Sequence, residues 1–288
     1  RLHPGLAMKE IRIELEGLGL AALESGPADA PVLLALHGWL DNGASFSPLS
    51  AHLADHRLIA LDLPGHGHSE HLPQNPLVHY NFADSIPAVL AVADALGLQS
   101  FDLLGHSMGA GVASLVAPAA PNRVRRLALV EGLAPLPDSP DSTLPRFRDA
   151  VSPRLDPGPP RLRAFPHIDT AAEARSRASG LPANLVRPII ERALVEVEGG
   201  YRWRSDPRLT EASLLRLTEG QVRRLLAGIR CPTWLLLAEP ETPYLPGAMM
   251  QARAASVADI RTEHLAGHHH LQLEHPAQVA MRLETFLR

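Results

Sequence analysis

The chain has 288 residues, 45% of them hydrophobic and 20% charged, with a formal net charge of -4, enough for one large domain, or one domain carrying an insertion, and for a core that needs no staple. No basic tract invites nucleic acid, the lone Cys231 excludes an internal disulfide, and no apolar run is long enough to span a bilayer. Residues 1–7 lack the apolar segment of a secretory signal and Met8 reads as a natural start, so a cytoplasmic protein without nucleic-acid partners is the default expectation.

In chain order, short apolar runs alternate with helical patterns, which argues for an α/β sheet. Residues 11–15 and 18–23 read as an opening antiparallel pair, and residues 32–36 and 58–61 as buried strands. A helix is predicted over 85–96, with Asp84 as its N-cap and Pro87 tolerable only in its first turn. A strand over 101–104, a helix of small residues over 110–117 and a strand over 127–130 follow. The composition then turns Pro-rich and Arg-rich until about Leu226, after which strands at 233–237 and 260–265 and a helix over 276–287 complete the pattern. Residues 133–226 therefore read as an inserted helical cap between core segments 8–132 and 227–288. An excess of Arg over acidic residues in that stretch raises two readings: a field steering anionic substrates, or surface Arg paired with neighbouring carboxylates.

The chemistry begins at Gly105-His106-Ser107-Met108-Gly109, a G-x-S-x-G run between a predicted strand and helix. A sharp strand-to-helix turn exposes a serine Oγ beside a helix N-terminus, where N–H groups favour a developing anion. Its bland counterpart is a Gly-rich turn with no chemistry. His37-Gly38-Trp39 follows the strand at 32–36, and a turn there supplies one oxyanion N–H, the other coming from the residue after the nucleophile. The backbones of Trp39 and Met108 are the expected donors. A base must come late in the chain, and His268-His269-His270 follows the last predicted strand. Metal binding and a solvated loop are the competing readings of three adjacent histidines, although adjacent residues cannot easily aim at one ion. An acid must hold the imidazole tautomer, and Glu131, Glu239 and Glu241 each follow an apolar strand; Asp102, inside its strand, reads as structural.

Three runs, His37-Gly38-Trp39-Leu40-Asp41-Asn42, Asp62-Leu63-Pro64-Gly65-His66-Gly67-His68-Ser69 and Gly105-His106-Ser107-Met108-Gly109, resemble α/β-hydrolases in order and spacing. The first, with the stretch from Gly200 through Tyr201, Trp203 and Asp206 to Leu209, is most similar to the serine hydrolase-like branch. The resemblance covers nearly the whole chain from Glu10. It implies a mostly parallel central sheet flanked by helices, with the cap inserted after the sixth core strand. It also implies Ser107 as nucleophile and, aligned on Pro276, the family's Gly-x-His pattern at Gly267 and His269, hence His269 as base. The chain departs from the family at Ala238-Glu239-Pro240-Glu241, where the usual Gly-x-x-Asp has no counterpart. Haloalkane dehalogenases and some relatives place the acid after strand six, where this chain has Glu131, but their nucleophile is Asp.

The expectation is a cofactor-free, metal-free serine hydrolase, a carboxylesterase on small or medium esters, with Glu131 as acid ahead of Glu241 and then Glu239. A thioesterase, a lactonase and a carbon–carbon bond hydrolase are the enzymatic alternatives. A non-catalytic ligand-binding protein on the same fold is the alternative of another class. Residue patterns leave the oligomeric state open.

Overall fold

The computed structural model describes residues 8–53, 55–75, 78–155 and 164–288. The chain opens with β1 (Lys9–Leu15) and β2 (Leu18–Ser25), then β3 (Val32–Leu36), a short α1 (Ser47–Ser50), β4 (Arg57–Leu61), α2 (Ser85–Ala95), β5 (Phe101–His106), α3 (Met108–Ala119) and β6 (Val124–Val130). The next stretch carries α4 (Pro140–Leu155), β7 (Ala164–Phe165), α5 (Ile168–Ser179), α6 (Ala183–Ala193), β8 (Leu194–Val197), β9 (Gly200–Trp203) and α7 (Glu219–Leu226). The chain closes with β10 (Thr233–Glu239), α8 (Gly247–Ala254), β11 (Ile260–Ala266), α9 (Leu271–Glu274) and α10 (Pro276–Leu287).

Eight strands form one sheet in the order β1-β2-β4-β3-β5-β6-β10-β11. β1 and β2 pair antiparallel, as do β2 and β4, and every other neighbour is parallel. Because side chains alternate along a strand, a sheet covered on both faces needs apolar residues at both parities. Leu34, Leu36, Ile59, Leu61, Leu235 and Leu237 face α2, α3, α7 and α8 in one buried cluster. Leu33, Ala35, Leu58, Ala60, Trp234 and Leu236 face α1 and α10 in the other. Burying one such side chain is worth roughly 1.5–3 kcal/mol, so the continuous apolar runs supply the main packing energy of the three-layer core.

Between β6 and β10, which are neighbours in the sheet, the chain leaves the core. On α6, Val186, Ile189 and Ile190 are buried, a helical stripe that packs with Phe165, Ala171, Ala172, Leu181 and Leu194 in a third cluster. Leu273 of α9 joins this cluster from the core. The inserted stretch is not purely helical: β7, β9 and β8 form a three-stranded antiparallel sheet. Its hairpin turns at Glu198-Gly199, with Gly199 at φ 83°, and its strands carry the β-branched and aromatic residues Val195, Val197, Tyr201 and Trp203. α7 packs with the main core through Val222 and Leu226.

Asp84 takes the N-cap position of α2 as expected, but without a capping bond. It ends a 3-10 turn over Phe82–Asp84 and its side chain makes no cap bond, accepting instead from Asn81 Nδ2 at 2.9 Å. α3 is longer than its small-residue run, starting at Met108 and carrying Pro118 in its last turn. Among the described residues no helix is long and apolar enough to cross a membrane.

Candidate active site

Parallel neighbours β5 and β6 deliver Ser107 and Glu131 from their C-terminal ends, where open α/β sheets place ligands. Ser107 holds φ 52° between β5 and α3, a conformation that costs a non-Gly residue of order 1–3 kcal/mol and persists only when its surroundings enforce it. Two bonds enforce it: the Ser107 N–H donates to the Val130 carbonyl, and Gly111 N–H donates to the Ser107 carbonyl, both at 3.0 Å. The flanking glycine is a packing necessity, since a Cβ on Gly109 would lie 2.1 Å from the Leu36 carbonyl oxygen.

His269 follows β11 and reaches both neighbours. Its Nε2 lies 2.7 Å from Ser107 Oγ and its Nδ1 lies 2.9 Å from Glu131 Oε2. A carboxylate only accepts, so Nδ1 carries the proton and Nε2 is free to accept from the serine hydroxyl. Glu131 is only 2% exposed and, at φ 54°, is another left-handed non-Gly residue. Its Oε1 accepts from Ala238 N–H at 2.6 Å and its Oε2 also accepts from the Thr242 hydroxyl, which stabilise a buried anion. Thr242 escapes sequence reasoning because Glu-Thr-Pro carries no local signature.

The other acid candidates face elsewhere. The Glu241 carboxylate accepts from Gly247 N–H at the start of α8, and the Glu239 backbone carbonyl accepts from Gly267 N–H at 3.0 Å. Asp102 is fully buried and paired with Arg125 and Arg126. The three adjacent histidines diverge: exposed His268 pairs with Glu274 at 3.0 Å, His269 faces Ser107, and His270 reaches Asp41 at 3.2 Å.

Trp39 lies in a turn closed by the Asp41 N–H on the Gly38 carbonyl at 3.1 Å, with Leu40 at φ 58°. The indole is 53% exposed rather than packed, and its N–H donates to the Leu209 carbonyl at 3.1 Å. Met108 opens α3, so its N–H has no acceptor within the helix. Tyr244, absent from the expected site, lays its ring 5.3 Å from that of His269. Burial, reinforced by the charges of Glu131 and Asp41, pushes its phenol up to about 12, so it stays protonated at neutral pH.

Behind His269, Asp41, His106 and His270 offer oxygen and nitrogen ligand atoms within 4.8 Å of one another, all buried. The set is of a kind that binds cations, but Arg175 already places a guanidinium on the Asp41 carboxylate.

A family model described as the alpha/beta hydrolase fold matches residues 31–221. A serine hydrolase-like protein of Dictyostelium discoideum is 28% identical over 299 residues, an alignment that spans 97% of this chain and 81% of that protein. Among solved structures, a hypothetical protein from Pseudomonas aeruginosa PAO1 is similar with a TM-score of 0.90 and 39% identity, covering 97% of this chain and 100% of that one. The thioesterase domain from the curacin biosynthetic pathway is similar with a TM-score of 0.86 and 26% identity, covering 97% of this chain and 99% of that domain.

Proposed function

The chain belongs to the α/β-hydrolase fold family, and from that premise we propose that it is a serine hydrolase acting on small or medium carboxylic esters through Ser107, His269 and Glu131. The observation that carries the reading is the continuous chain from Ser107 Oγ to His269 Nε2 at 2.7 Å and from His269 Nδ1 to Glu131 at 2.9 Å.

In this reading Ser107 Oγ attacks the ester carbonyl carbon while His269 Nε2 takes its proton. The backbone N–H groups of Trp39 and Met108 hold the tetrahedral oxyanion. Collapse breaks the bond to the alkoxy group, which leaves as the alcohol with the proton from His269. Water then attacks the acyl-enzyme, again losing its proton to His269, and the acid is released with Ser107 restored. Glu131 holds the tautomer and stabilises the imidazolium without itself taking the proton. Core segments 8–132 and 227–288 carry all of these groups, and residues 133–226 serve as a cap over them.

Thioesters are the second reading, favoured by the likeness to the curacin thioesterase domain; the same residues would attack the thioester carbonyl and expel a thiol. A fluorophosphonate probe tests the class: wild type labels covalently and Ser107→Ala does not. A panel of p-nitrophenyl esters of increasing acyl length, run beside the matching thioesters, tests the bond. Wild-type ester rates in purified Ser107→Ala would sink the mechanism, and absence of labelling in folded wild type would favour a ligand-binding protein.

A further inference from the structure

We propose that the buried Asp41, His106 and His270, with the partly exposed Arg175, form a positioning network through which the seating of α5 sets the placement of the base His269; this rests on the esterase reading above. The three core members are chain neighbours of the three working segments. Asp41 lies two residues after Trp39, His106 immediately before Ser107, and His270 immediately after His269. The fourth member, Arg175, comes from α5 in the inserted stretch.

The proton positions follow from the partners. His106 Nε2 lies 2.8 Å from the His269 carbonyl oxygen, which only accepts, so Nε2 is the donor and Nδ1 bears a lone pair. His270 Nε2 lies 3.2 Å from Asp41 Oδ2 and donates to it. The Asp41 Oδ1 atom accepts from Arg175. The His269 backbone is thus gripped on one side by the residue preceding the nucleophile, and its successor is tied to the oxyanion turn. The imidazoles of His106, His269 and His270 touch pairwise, with centroids 4.8 to 5.4 Å apart. Gly38 permits the approach, because a Cβ there would lie 3.1 Å from His106 Nδ1 and 3.2 Å from Asp41 Oδ2.

Charge makes the network depend on the insertion. Burial, with the neighbouring histidines, holds His106 well below the usual histidine range, so it stays neutral. Burial alone would raise the Asp41 carboxyl, but the His270 hydrogen bond and the Arg175 charge outweigh it and hold Asp41 ionised, far below the ordinary carboxylate range. Breaking a buried pair by removing one partner leaves an uncompensated charge. Unseating α5 would do this to Asp41, and the carboxylate must then shift or take up a proton, releasing His270. The same turn is held twice more from the insertion: Trp39 Nε1 donates to Leu209 at 3.1 Å and Asn42 Nδ2 donates to Ile189 at 2.8 Å.

The test combines active-site titration with steady-state kinetics on p-nitrophenyl butyrate for Asp41→Asn, Arg175→Met and the double variant. The expected result is a kcat per titrated Ser107 lower by about 10²-fold in Asp41→Asn, the scale of a misplaced catalytic group, with KM within about twofold. Arg175→Met falls in the same direction, and the double variant is no worse than the weaker single one. A purely structural role lowers the titratable fraction and the melting temperature but leaves kcat per site within about twofold of wild type, which overturns the proposal; additive losses in the double variant overturn the coupling to the insertion. If Asp41→Asn does not accumulate as folded protein, Arg175→Met decides by the same criterion. Labelling of wild type but not of Ser107→Ala tests the serine nucleophile separately, and wild-type turnover of the p-nitrophenyl ester tests the bond, so unchanged kcat per site counts against the network alone.

Discussion

The eight-stranded core and the inserted stretch are held by different means. The core is layered apolar packing on both faces of a sheet. The insertion has a small apolar cluster of its own, joined by Leu273 of the core, packs α7 on the core through Val222 and Leu226, and adds guanidinium groups that reach core carboxylates and carbonyls. Arg192 of α6 is 8% exposed and pairs with the fully buried Asp62 at 2.7 Å and with Glu10 at 2.6 Å. Arg175 pairs with Asp41. Arg208 pairs with Asp206 at 2.7 Å and donates to the carbonyls of Leu72, Pro73 and Val78. Apolar layers are indifferent to direction, whereas paired charges fix one geometry and penalise every other. The contrast is a division of labour: the core holds its shape by buried area, and paired charges add directional contacts that fix how the inserted helices sit on it.

The largest expected effect belongs wholly to the core. Glu131→Gln keeps the shape of the acid but removes the charge that fixes the His269 tautomer, and kcat should fall by about 10⁴-fold by analogy with other serine triads. Glu241→Gln, which alters only a contact at the start of α8, should stay within about threefold of wild type. A collapse in Glu241→Gln with Glu131→Gln unaffected would reverse the assignment of the acid.

How much of this was legible beforehand follows the same division. The core strands are readable because both parities are apolar, and the nucleophile turn because its glycines sit between a strand and a helix run. Glu131 could be put forward from its place at a strand end, but its pairing with Thr242 joins residues 111 positions apart and has no local pattern. Asp41 with His270 spans 229 positions and Arg175 with Asp41 spans 134; such contacts exist only once the chain is folded. The β8–β9 hairpin carries a turn signal, Gly199-Gly200 between β-branched and aromatic residues. It lies in an Arg-rich, polar stretch whose composition reads as helical.

Arg192→Met removes the cation that faces Asp62 and Glu10, leaving a fully buried carboxylate without its ion partner. Breaking a buried pair in this way costs about 3–5 kcal/mol. Urea unfolding should show that loss, with hydrogen exchange rising first in α5 and α6. If exchange rises uniformly through the sheet, the insertion is not a separately anchored layer.

Acid should act on the core through its histidines. Burial holds His37, His66 and His106 below the usual histidine range, His66 at about 3. The unfolded chain takes up protons below about pH 6.5 that the folded chain refuses. Stability is therefore lost as pH falls from about 6.5 toward the folded values, by up to about 1.4 kcal/mol per pH unit for each group. Asp41, Glu10 and Asp206 also have lowered values, but their contribution is present above the ordinary carboxylate range and declines only as pH falls below about 4. Between pH 6.5 and 4.5 the slope should thus flatten in His66→Gln and be unchanged in Arg208→Met. An unchanged slope in His66→Gln would show that this imidazole is not kept neutral.

The smallest effect tests what the Arg excess of the insertion is for. Steering of an anionic substrate needs unneutralised positive charge over the site. Five of the insertion's arginines are neutralised locally: Arg146 pairs with Asp138, Arg175 with Asp41, Arg187 with Asp169 and Glu191, Arg192 with Asp62 and Glu10, and Arg208 with Asp206. A guanidinium in contact with a carboxylate presents a dipole, whose field falls off faster than that of a charge, and at 0.15 M salt even free charges are screened beyond about 8 Å. Raising salt from 0.02 M to 0.5 M should therefore change kcat/KM for a carboxylate-bearing ester, relative to its neutral analogue, by less than about twofold. A steep fall with salt for the anionic ester alone would mean that the arginines act on the approaching substrate rather than on the seating of the insertion. Arg175→Met would then weaken that salt dependence while leaving kcat per titrated site intact, the opposite of what a positioning role requires.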